Sequence, residues 1–370
     1  MQKVLGVIFA ESHYANIHEL TTVRPLGALP FGGRYRMIDF TLSNMVNSGM
    51  INVAVVTQNN YHSLMGHIGS GKPWNLARHR YGVTLFPPFS NLSSSGSDSR
   101  IDILYGVLDF FKRSSQTHVL LSESNILSNT LLNDIYDKHL VSKADISIVY
   151  KEVEGNEFLG EETYITTDED DNVLALDIGE NISGTNKKYI GYVLADKQVL
   201  INIIEHSKIR GKKGYLANLI TRNIGKLNIK AIKLDGYAKL LFNIKEYYDA
   251  SMEILDKDIR ANLFNSEHPI YTKDKNTPPT RYEKGAKVVN SFVADGCVIE
   301  GDVKNSIISR SAIIKKGAVV EDSIIMQSCE IGENVHLKNV ILDKKCIIRD
   351  NKELVGEKEY LVVVSKGKII

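Results

Sequence analysis

The sequence has few cysteines, almost no net charge and no apolar run long enough to cross a membrane. The three cysteines, Cys297, Cys329 and Cys346, lack CxxC spacing, which argues against a disulfide framework or a structural zinc site and fits a reducing cytoplasm. A formal charge of +1 gives no electrostatic reason to expect nucleic acid or an anionic membrane as a partner. The N-terminal VLGVIFA is too short for the core of a signal peptide and predicts a buried strand.

The first two thirds of the chain alternate between two kinds of segment. Runs such as INVAVVTQ, THVLLSES and ADISIVYK are typical of buried parallel strands, and DILYGVLDFFKRS and LLNDIYDKHLV have the apolar spacing of helices. This alternation predicts a doubly wound α/β domain over residues 1–261. Residues 262–285 combine turn formers with Pro269, Pro278 and Pro279, and they are predicted to form a linker.

A six-residue repeat dominates the last part of the chain. Aliphatic side chains recur six residues apart at Ile307, Ile313, Val319, Ile325, Ile331 and Leu337. This period predicts a short left-handed parallel β-helix over residues 286–370, of about three coils, in which these side chains point inward. An open flank of so short a coil is expected to be covered by the first domain or by another subunit.

The segment ALPFGGRYRMIDFTLSN, followed by NSG, TQ, HSL and HIGSGKPWNLARHRYGVTLFPPFS, resembles the bacterial glucose-1-phosphate adenylyltransferases, or ADP-glucose pyrophosphorylases. Together with the hexapeptide repeats, the resemblance covers nearly the whole chain. It implies a Rossmann-like nucleotidyltransferase domain with a mixed, mostly parallel sheet, followed by the β-helix. In PFGGRYR, a tight turn at Gly32 and Gly33 is expected to present Arg34 and Arg36 either to surface carboxylates or to an anion.

The phosphate-binding loop of the family is altered in this sequence. The family has a loop of the form GGxGxR after its first strand, because backbone amides must approach the nucleotide phosphates closely. Here the stretch from Glu11 to Asn16 contains no glycine, Asn16 stands at the arginine position, and Glu11 adds a negative charge. We therefore expect triphosphate binding in the family's pose to be weakened by both sterics and repulsion.

The family's catalytic positions are altered as well. The resemblance places Ser124 and Leu240 at the two magnesium-binding aspartates and Gly179 at the sugar-phosphate lysine. The family's effector-coupling loop is replaced by residues 94–102, which retain Asp102, so that Asp102 and Gln58 are residual pocket candidates. Glu123 could be offered as a substitute metal ligand, but neighbouring strand residues point to opposite faces and it is expected to point away from the site.

The altered positions imply a non-catalytic role. The pattern resembles the D-type, modulatory subunit of the adenylyltransferase, which pairs with a catalytic homologue in a heterotetramer, so no cofactor is expected here and Mg²⁺ only in the partner. Two alternatives stay open. One is an active nucleotidyltransferase with an atypical metal site, and the other is a sensor that binds a sugar phosphate, phosphate or sulfate without chemistry. The candidate anion-binding residues are Arg24, Arg34, Arg36 and Arg80.

Overall fold

The structure is a computed structural model that describes residues 1–12, 15–58, 60–87, 99–153, 162–179, 183–211, 214 and 216–370. No helix formed by these residues is long and apolar enough to span a bilayer. The expectations for His13, Tyr14 and residues 94–98 lie outside the described residues.

The N-terminal part contains strands and helices in alternation. Its strands are β1 Val4–Phe9, β2 Pro30–Phe31, β3 Tyr35–Arg36, β4 Asn52–Val56, β5 Gly82–Phe86, β6 His118–Glu123, β7 Ile126–Ser128, β8 Ile146–Glu152, β9 Thr163–Thr167, β10 Val173–Ile178, β11 Lys187–Asp196, β12 Ile229–Lys233 and β13 Ala238–Leu240. Its helices are α1 His18–Thr21, α2 Met37–Asn47, α3 His62–Ile68, α4 Arg100–Gly106, α5 Leu108–Arg113, α6 Asn133–Val141, α7 Lys197–Ile209, α8 Leu216–Thr221, α9 Ile244–Glu253 and α10 Lys257–Leu263, with short 3₁₀ turns at Leu26–Ala28 and Lys72–Trp74.

Nine of these strands form one mixed sheet in the described residues. Its order is β10-β9-β11-β6-β1-β4-β5, with β8 paired to β11 and β12. Strands β6, β1, β4 and β5 are mutually parallel, whereas β11 runs antiparallel to β6, β8 and β9. Strand β1 shows why its sequence is continuously apolar: Leu5 and Val7 pack into one core, and Val4 and Ile8 pack into the core on the opposite face. The predicted α/β domain is confirmed.

The C-terminal part is the predicted left-handed β-helix, whose three flat sides are five-stranded parallel sheets. The first side consists of β14 Arg281–Tyr282, β17 Val298–Ile299, β20 Ile313–Ile314, β23 Glu330–Ile331 and β26 Ile347–Ile348. The second consists of β15 Lys287–Val289, β18 Asp302–Lys304, β21 Val319–Glu321, β24 His336–Lys338 and β27 Glu353–Val355, and the third of β16 Phe292–Val293, β19 Ile307–Ile308, β22 Ile324–Ile325, β25 Val340–Leu342 and β28 Val362–Val364. With five strands on each side, the coil is longer than the three turns expected.

The inward-pointing residues differ in part from the prediction. Ile325, Ile331 and Leu337 fill the interior as expected, but the earlier interior positions are Ile308, Ile314 and Val320. The interior positions therefore step by five residues once in each of these turns, as between Val320 and Ile325. The sequence hides this step because the neighbouring outward-facing residues are also aliphatic. Ile313 is 37% exposed, whereas Ile314 is fully buried.

The third side of the coil packs on the N-terminal part. Its outward residues Ile307, Ile324 and Ile341 share a core with Phe31 and Tyr247. The N-terminal part thus covers one flank, as expected, and removes these large apolar surfaces from water. Helix α10 ends at Leu263 and β14 begins at Arg281, and the exact domain boundaries at 261 and 286 stay predictions.

One corner of the coil is built from short polar residues in the left-handed conformation. Asn290, Asn305, Asp322 and Asn339 all have φ between +43° and +52°, a region that Asn and Asp tolerate better than most residues. The Asn290 amide donates to the Asn305 side-chain oxygen at 2.9 Å, which links successive turns. The Tyr248 hydroxyl of α9 donates to the Asp322 carbonyl at 2.7 Å, so this corner also ties the coil to the N-terminal part.

Candidate functional site

The loop after β1 satisfies its polar groups internally. The Glu11 carboxylate accepts hydrogen bonds from the Thr57 hydroxyl and the Gln58 backbone N–H, both at 3.0 Å. The Asn16 backbone N–H donates to the Phe242 carbonyl at 2.5 Å. The Glu11 carboxylate therefore occupies a backbone N–H and a hydroxyl group at the carboxyl ends of β1 and β4. In open α/β sheets, nucleotides bind at this edge.

A largely apolar cavity lies beside this loop. Its described lining includes Ser12, Arg100, Glu123, Leu240 and Phe242, together with aliphatic and aromatic side chains from β8, β10, β11 and α8. The cavity contains about 40 Å³ of open space, roughly one or two water molecules. A site of this size cannot hold a sugar nucleotide without rearrangement, since pockets for small ligands are typically about 300 to 1,000 Å³.

An internal ion pair occupies the polar end of the cavity. An Arg100 guanidinium N–H donates to the Glu123 carboxylate at 2.6 Å and to the Glu11 carbonyl at 2.8 Å. The guanidinium also lies over the Phe9 ring, 4.0 Å from its centroid. Burial raises the pKa of Glu123, and the positive charge of Arg100 opposes that rise. Glu123 thus faces this cavity, whereas Ser124 packs against Gly27, and the expectation that Glu123 points away from the family's metal position stays a prediction.

The two residues that the resemblance assigns to the family's metal ligands carry no carboxylate. Ser124 is buried against Gly27, and its hydroxyl has no hydrogen-bond partner among the described residues. Leu240 lies on β13, opposite Ile126 of β7, and is also buried. No group of three or more His, Cys, Asp or Glu side chains in the described chain could hold a metal ion. Because Mg²⁺ prefers carboxylate and water oxygens, these residues do not fit a catalytic magnesium site.

The wider cleft on the other side of Leu240 does contain acids, but they are engaged. Glu162 forms an ion pair with Lys188 and accepts a hydrogen bond from the Tyr164 hydroxyl at 2.7 Å. The Glu246 carboxylate accepts the Phe242 backbone N–H at 2.6 Å, and burial raises its pKa. The cleft therefore presents paired charges rather than a set of carboxylates aimed at one point.

The remaining pocket candidates do not converge on the cavity. Gly179 has φ of +89° and donates its N–H to the Glu162 carbonyl at 2.8 Å. Asp102, near the start of α4, pairs with Lys208 of α7 at 2.6 Å. Neither Asp102 nor Gln58 lines the cavity. Sequence comparison missed Arg100, whose role depends on a contact that no local pattern shows.

A second pocket collects positive charge where PFGGRYR meets the β-helix. Among the described residues its lining contains no carboxylate and six cationic side chains: Arg34, Arg36, Lys273, Lys275, Arg310 and Lys344. Burial, together with nearby Arg36, Arg24 and Lys275, lowers the pKa of Lys344 to about 7. Burial also lowers the pKa of Arg36 to about 10. Such mutual perturbation shows that the cations crowd one another.

The four predicted anion-binding arginines have different surroundings. Arg34 and Arg36 line the cationic pocket. Arg24 is buried and bound to the Asp343 carboxylate at 2.6 and 2.8 Å, which gives it an internal partner. Arg80 does not line the pocket and lies exposed over the Tyr81 ring. The lysines and Arg310 were missed because the linker and the coil reach this place only in the folded chain.

The sheet, its altered loop and the appended coil define a nucleotidyltransferase-type protein. Residues 15–177 match the nucleotidyl transferase family, and residues 278–360 match the GlmU-like C-terminal hexapeptide family. The chain is 32% identical to the glycogen biosynthesis protein GlgD of Bacillus subtilis, over 99% of this chain and 97% of that protein. It is 30% identical to glucose-1-phosphate adenylyltransferases of Bacillus thuringiensis and Bacillus mycoides, over 99% of both chains. The chain belongs to the glucose-1-phosphate adenylyltransferase family.

Proposed function

We propose that this chain is a modulatory subunit with negligible activity of its own. It would act in glycogen biosynthesis, in the cytoplasm, by forming a heterotetramer with a catalytic glucose-1-phosphate adenylyltransferase. The catalysed reaction joins ATP and glucose 1-phosphate to give ADP-glucose and diphosphate. The observation that carries the proposal is the cavity in which Glu123 is paired with Arg100 and Leu240 replaces a carboxylate.

The chemistry of phosphoryl and nucleotidyl transfer explains why these changes matter. Several negative charges come together at phosphorus, so catalysis depends on positioning and on neutralisation by Mg²⁺ and basic side chains. Losing one preorganised electrostatic group commonly costs about 3 to 4 kcal/mol, roughly a hundred- to thousandfold in rate. Several such groups are missing together here, and the effect stays large even though such losses are not additive.

A subunit without chemistry can still alter its partner through their shared interface. If it binds one conformation of the catalytic homologue more tightly, it shifts the partner toward that conformation, with a coupling that is typically about 1 to 3 kcal/mol. That range corresponds to roughly 5- to 150-fold in apparent affinity or activation. Retention of a complete fold around an altered site is consistent with such a role.

The test is a mixing assay with purified chains. We expect no ADP-glucose from this chain alone, co-elution with the catalytic homologue, and a changed rate or substrate affinity of the mixture. The heat-unfolded chain and the homologue alone are the controls. No co-elution and no kinetic change would contradict the proposal.

The alternative of an active enzyme with an atypical metal site needs a separate control. Any trace of magnesium-dependent product from the isolated chain is compared with that from Glu123→Gln, after circular dichroism has checked that the variant folds. Product that falls with Glu123→Gln would come from this cavity and would support the active alternative. Product that is unchanged would not depend on this cavity and would count against an atypical metal site that uses Glu123.

The cationic pocket favours a second candidate function, the binding of a sugar phosphate, phosphate or sulfate. Six cations line this space of about 30 Å³, and Arg310 among them is paired with Asp295 at 3.0 Å. The remaining charges favour an anion, of which only the phosphate or sulfate group would enter the pocket. Calorimetry with glucose 1-phosphate, fructose 1,6-bisphosphate, ATP and inorganic phosphate tests it. Arg34→Ala should weaken binding, whereas Arg80→Ala removes an exposed arginine outside the pocket and should not. Equal effects of the two substitutions would count against a defined site.

A further inference from the structure

Two of the three cysteines are neighbours in the interior of the β-helix. Cys329 and Cys346 precede the paired strands β23 and β26, and the Glu330 N–H donates to the Cys346 carbonyl at 2.9 Å. Both thiols are buried, and each affects the titration of the other. They therefore lie at equivalent positions on adjacent turns of the coil.

The spacing of the turns allows a disulfide between Cys329 and Cys346 and excludes one between Cys297 and Cys329. Adjacent strands are about 4.8 Å apart, and disulfides bridge Cα atoms roughly 4.4 to 6.8 Å apart. Cys297 is one further turn away, since the turn that carries Ala312 lies between it and Cys329. Two turns separate those Cα atoms by about 10 Å, which is too far for a bond.

The segment that covers Cys346 is thin. The Cys346 S–H donates to the Ser365 carbonyl at 3.3 Å, and residues 366–369 are exposed to solvent. This segment is fastened to β26 by backbone hydrogen bonds such as that from the Ile347 N–H to the Lys368 carbonyl at 2.9 Å. Local opening of a few such bonds costs less than global unfolding and would uncover the thiol.

The two thiols are not equivalent. Cys346 lies against Ser365, next to the exposed residues 366–369, whereas the Cys329 sulfur lies one turn further in, against the Asp343 carbonyl. The neighbouring thiol also lowers the pKa of Cys346 and raises that of Cys329. Because an attacking thiol must be reachable by the oxidant and ionised, Cys346 is the group that reacts first.

We propose that Cys329 and Cys346 form a reversible dithiol–disulfide pair, which is oxidised by a small disulfide such as oxidised glutathione. The Cys346 thiolate attacks one sulfur of the oxidant and displaces one thiolate, giving a mixed disulfide. The Cys329 thiolate then attacks the Cys346 sulfur and displaces the second. The protein loses two hydrogen atoms, and the oxidant is reduced to two thiols.

The bond would restrain a segment that contributes to both the domain contact and the cationic pocket. The Cys329 S–H donates to the Asp343 carbonyl at 3.0 Å, and the Asp343 carboxylate holds Arg24. Lys344, which follows, lines the cationic pocket. Oxidation removes the Cys329 S–H donor and links both ends of the turn that carries these residues.

The experiment uses the full chain, incubated with oxidised glutathione and then denatured and alkylated. We expect the number of alkylatable thiols to fall from three to one, the intact mass before alkylation to fall by about 2 Da, and peptide mapping to give a Cys329–Cys346 cross-link that dithiothreitol reverses. In Cys297→Ala the number of alkylatable thiols should fall from two to none, with the same cross-link and the same loss of mass. Cys329→Ala should stop at a single glutathione adduct.

Two results would overturn the proposal. One is three alkylatable thiols in the folded wild-type chain at glutathione potentials that oxidise a dithiothreitol standard. The other is a cross-link that contains Cys297 or joins two chains. Peptide mapping of the wild type decides the matter even if an alanine variant fails to fold.

Discussion

Asp343→Asn should destabilise the protein by about 3 to 5 kcal/mol, because it leaves the Arg24 guanidinium buried without its counter-charge. The two side chains are only 3% and 1% exposed, so water cannot replace the lost partner. One Arg24 nitrogen contacts both Asp343 oxygens, at 2.6 and 2.8 Å, and the other terminal nitrogen has no hydrogen-bond partner among the described residues. Asparagine keeps the size of the side chain, so the change isolates the charge.

An exposed ion pair supplies the matched control. Lys112 and Glu205 are 2.7 Å apart, but their side chains are 47% and 39% exposed. Exposed pairs typically contribute less than about 1 kcal/mol, because solvent screens them. Glu205→Gln should therefore change the free energy of unfolding by much less than Asp343→Asn.

Urea unfolding followed by circular dichroism measures both variants. With a slope of about 3 kcal/mol per molar urea, the predicted loss for Asp343→Asn lowers the midpoint of the affected transition by about 1 to 1.7 M. Adding Arg24→Met should recover part of the loss, since it removes the uncompensated charge. If Asp343→Asn costs no more than Glu205→Gln, or Arg24→Met recovers nothing, the reasoning about this buried pair is wrong.

Two further predictions concern the cationic pocket and the sheet. The pKa of Lys344 is lowered to about 7 from 10.5, so between these values the unfolded chain binds the extra proton and the free energy of unfolding rises with pH, by at most about 1.4 kcal/mol per pH unit. Urea titrations at several pH values should show that Lys344→Met loses this slope. Binding of sulfate, whose charge is constant from pH 6 to 8, should weaken over this range as Lys344 loses its proton. Gly82→Ala should destabilise more than Gly236→Ala in thermal melts: both glycines have positive φ, but only at Gly82 would a Cβ collide with the Leu76 carbonyl.

Local patterns predicted the two folds because each fold repeats a simple rule. Continuous β-branched runs such as VLGVIF require a strand buried on both faces, and the hexapeptide period requires a coil. The register of the coil was predicted only in part. Ile313 and Ile314 are equally aliphatic, and only packing decides which one faces the interior.

Residue type alone shows that neither Ser124 nor Leu240 carries a carboxylate, whatever the structure, and their correspondence to the family's metal ligands stays a prediction. The direction of Glu123 could not be predicted by alternation, since that rule gives opposite faces without saying which face holds the cavity. Its partner Arg100 lies 23 residues away on another element.

The sequence by itself determined the architecture, the family and the absence of acidic side chains at the family's metal positions, because these follow from periodicity and residue chemistry. The tertiary structure decided which charges neutralise each other and which crowd together. Arg24 finds Asp343 across 319 residues, while Arg36 and Lys344 share a pocket with Lys275 from the connecting segment. The energy between two charges depends on their distance in space and on their burial. Separation along the chain determines neither of these quantities.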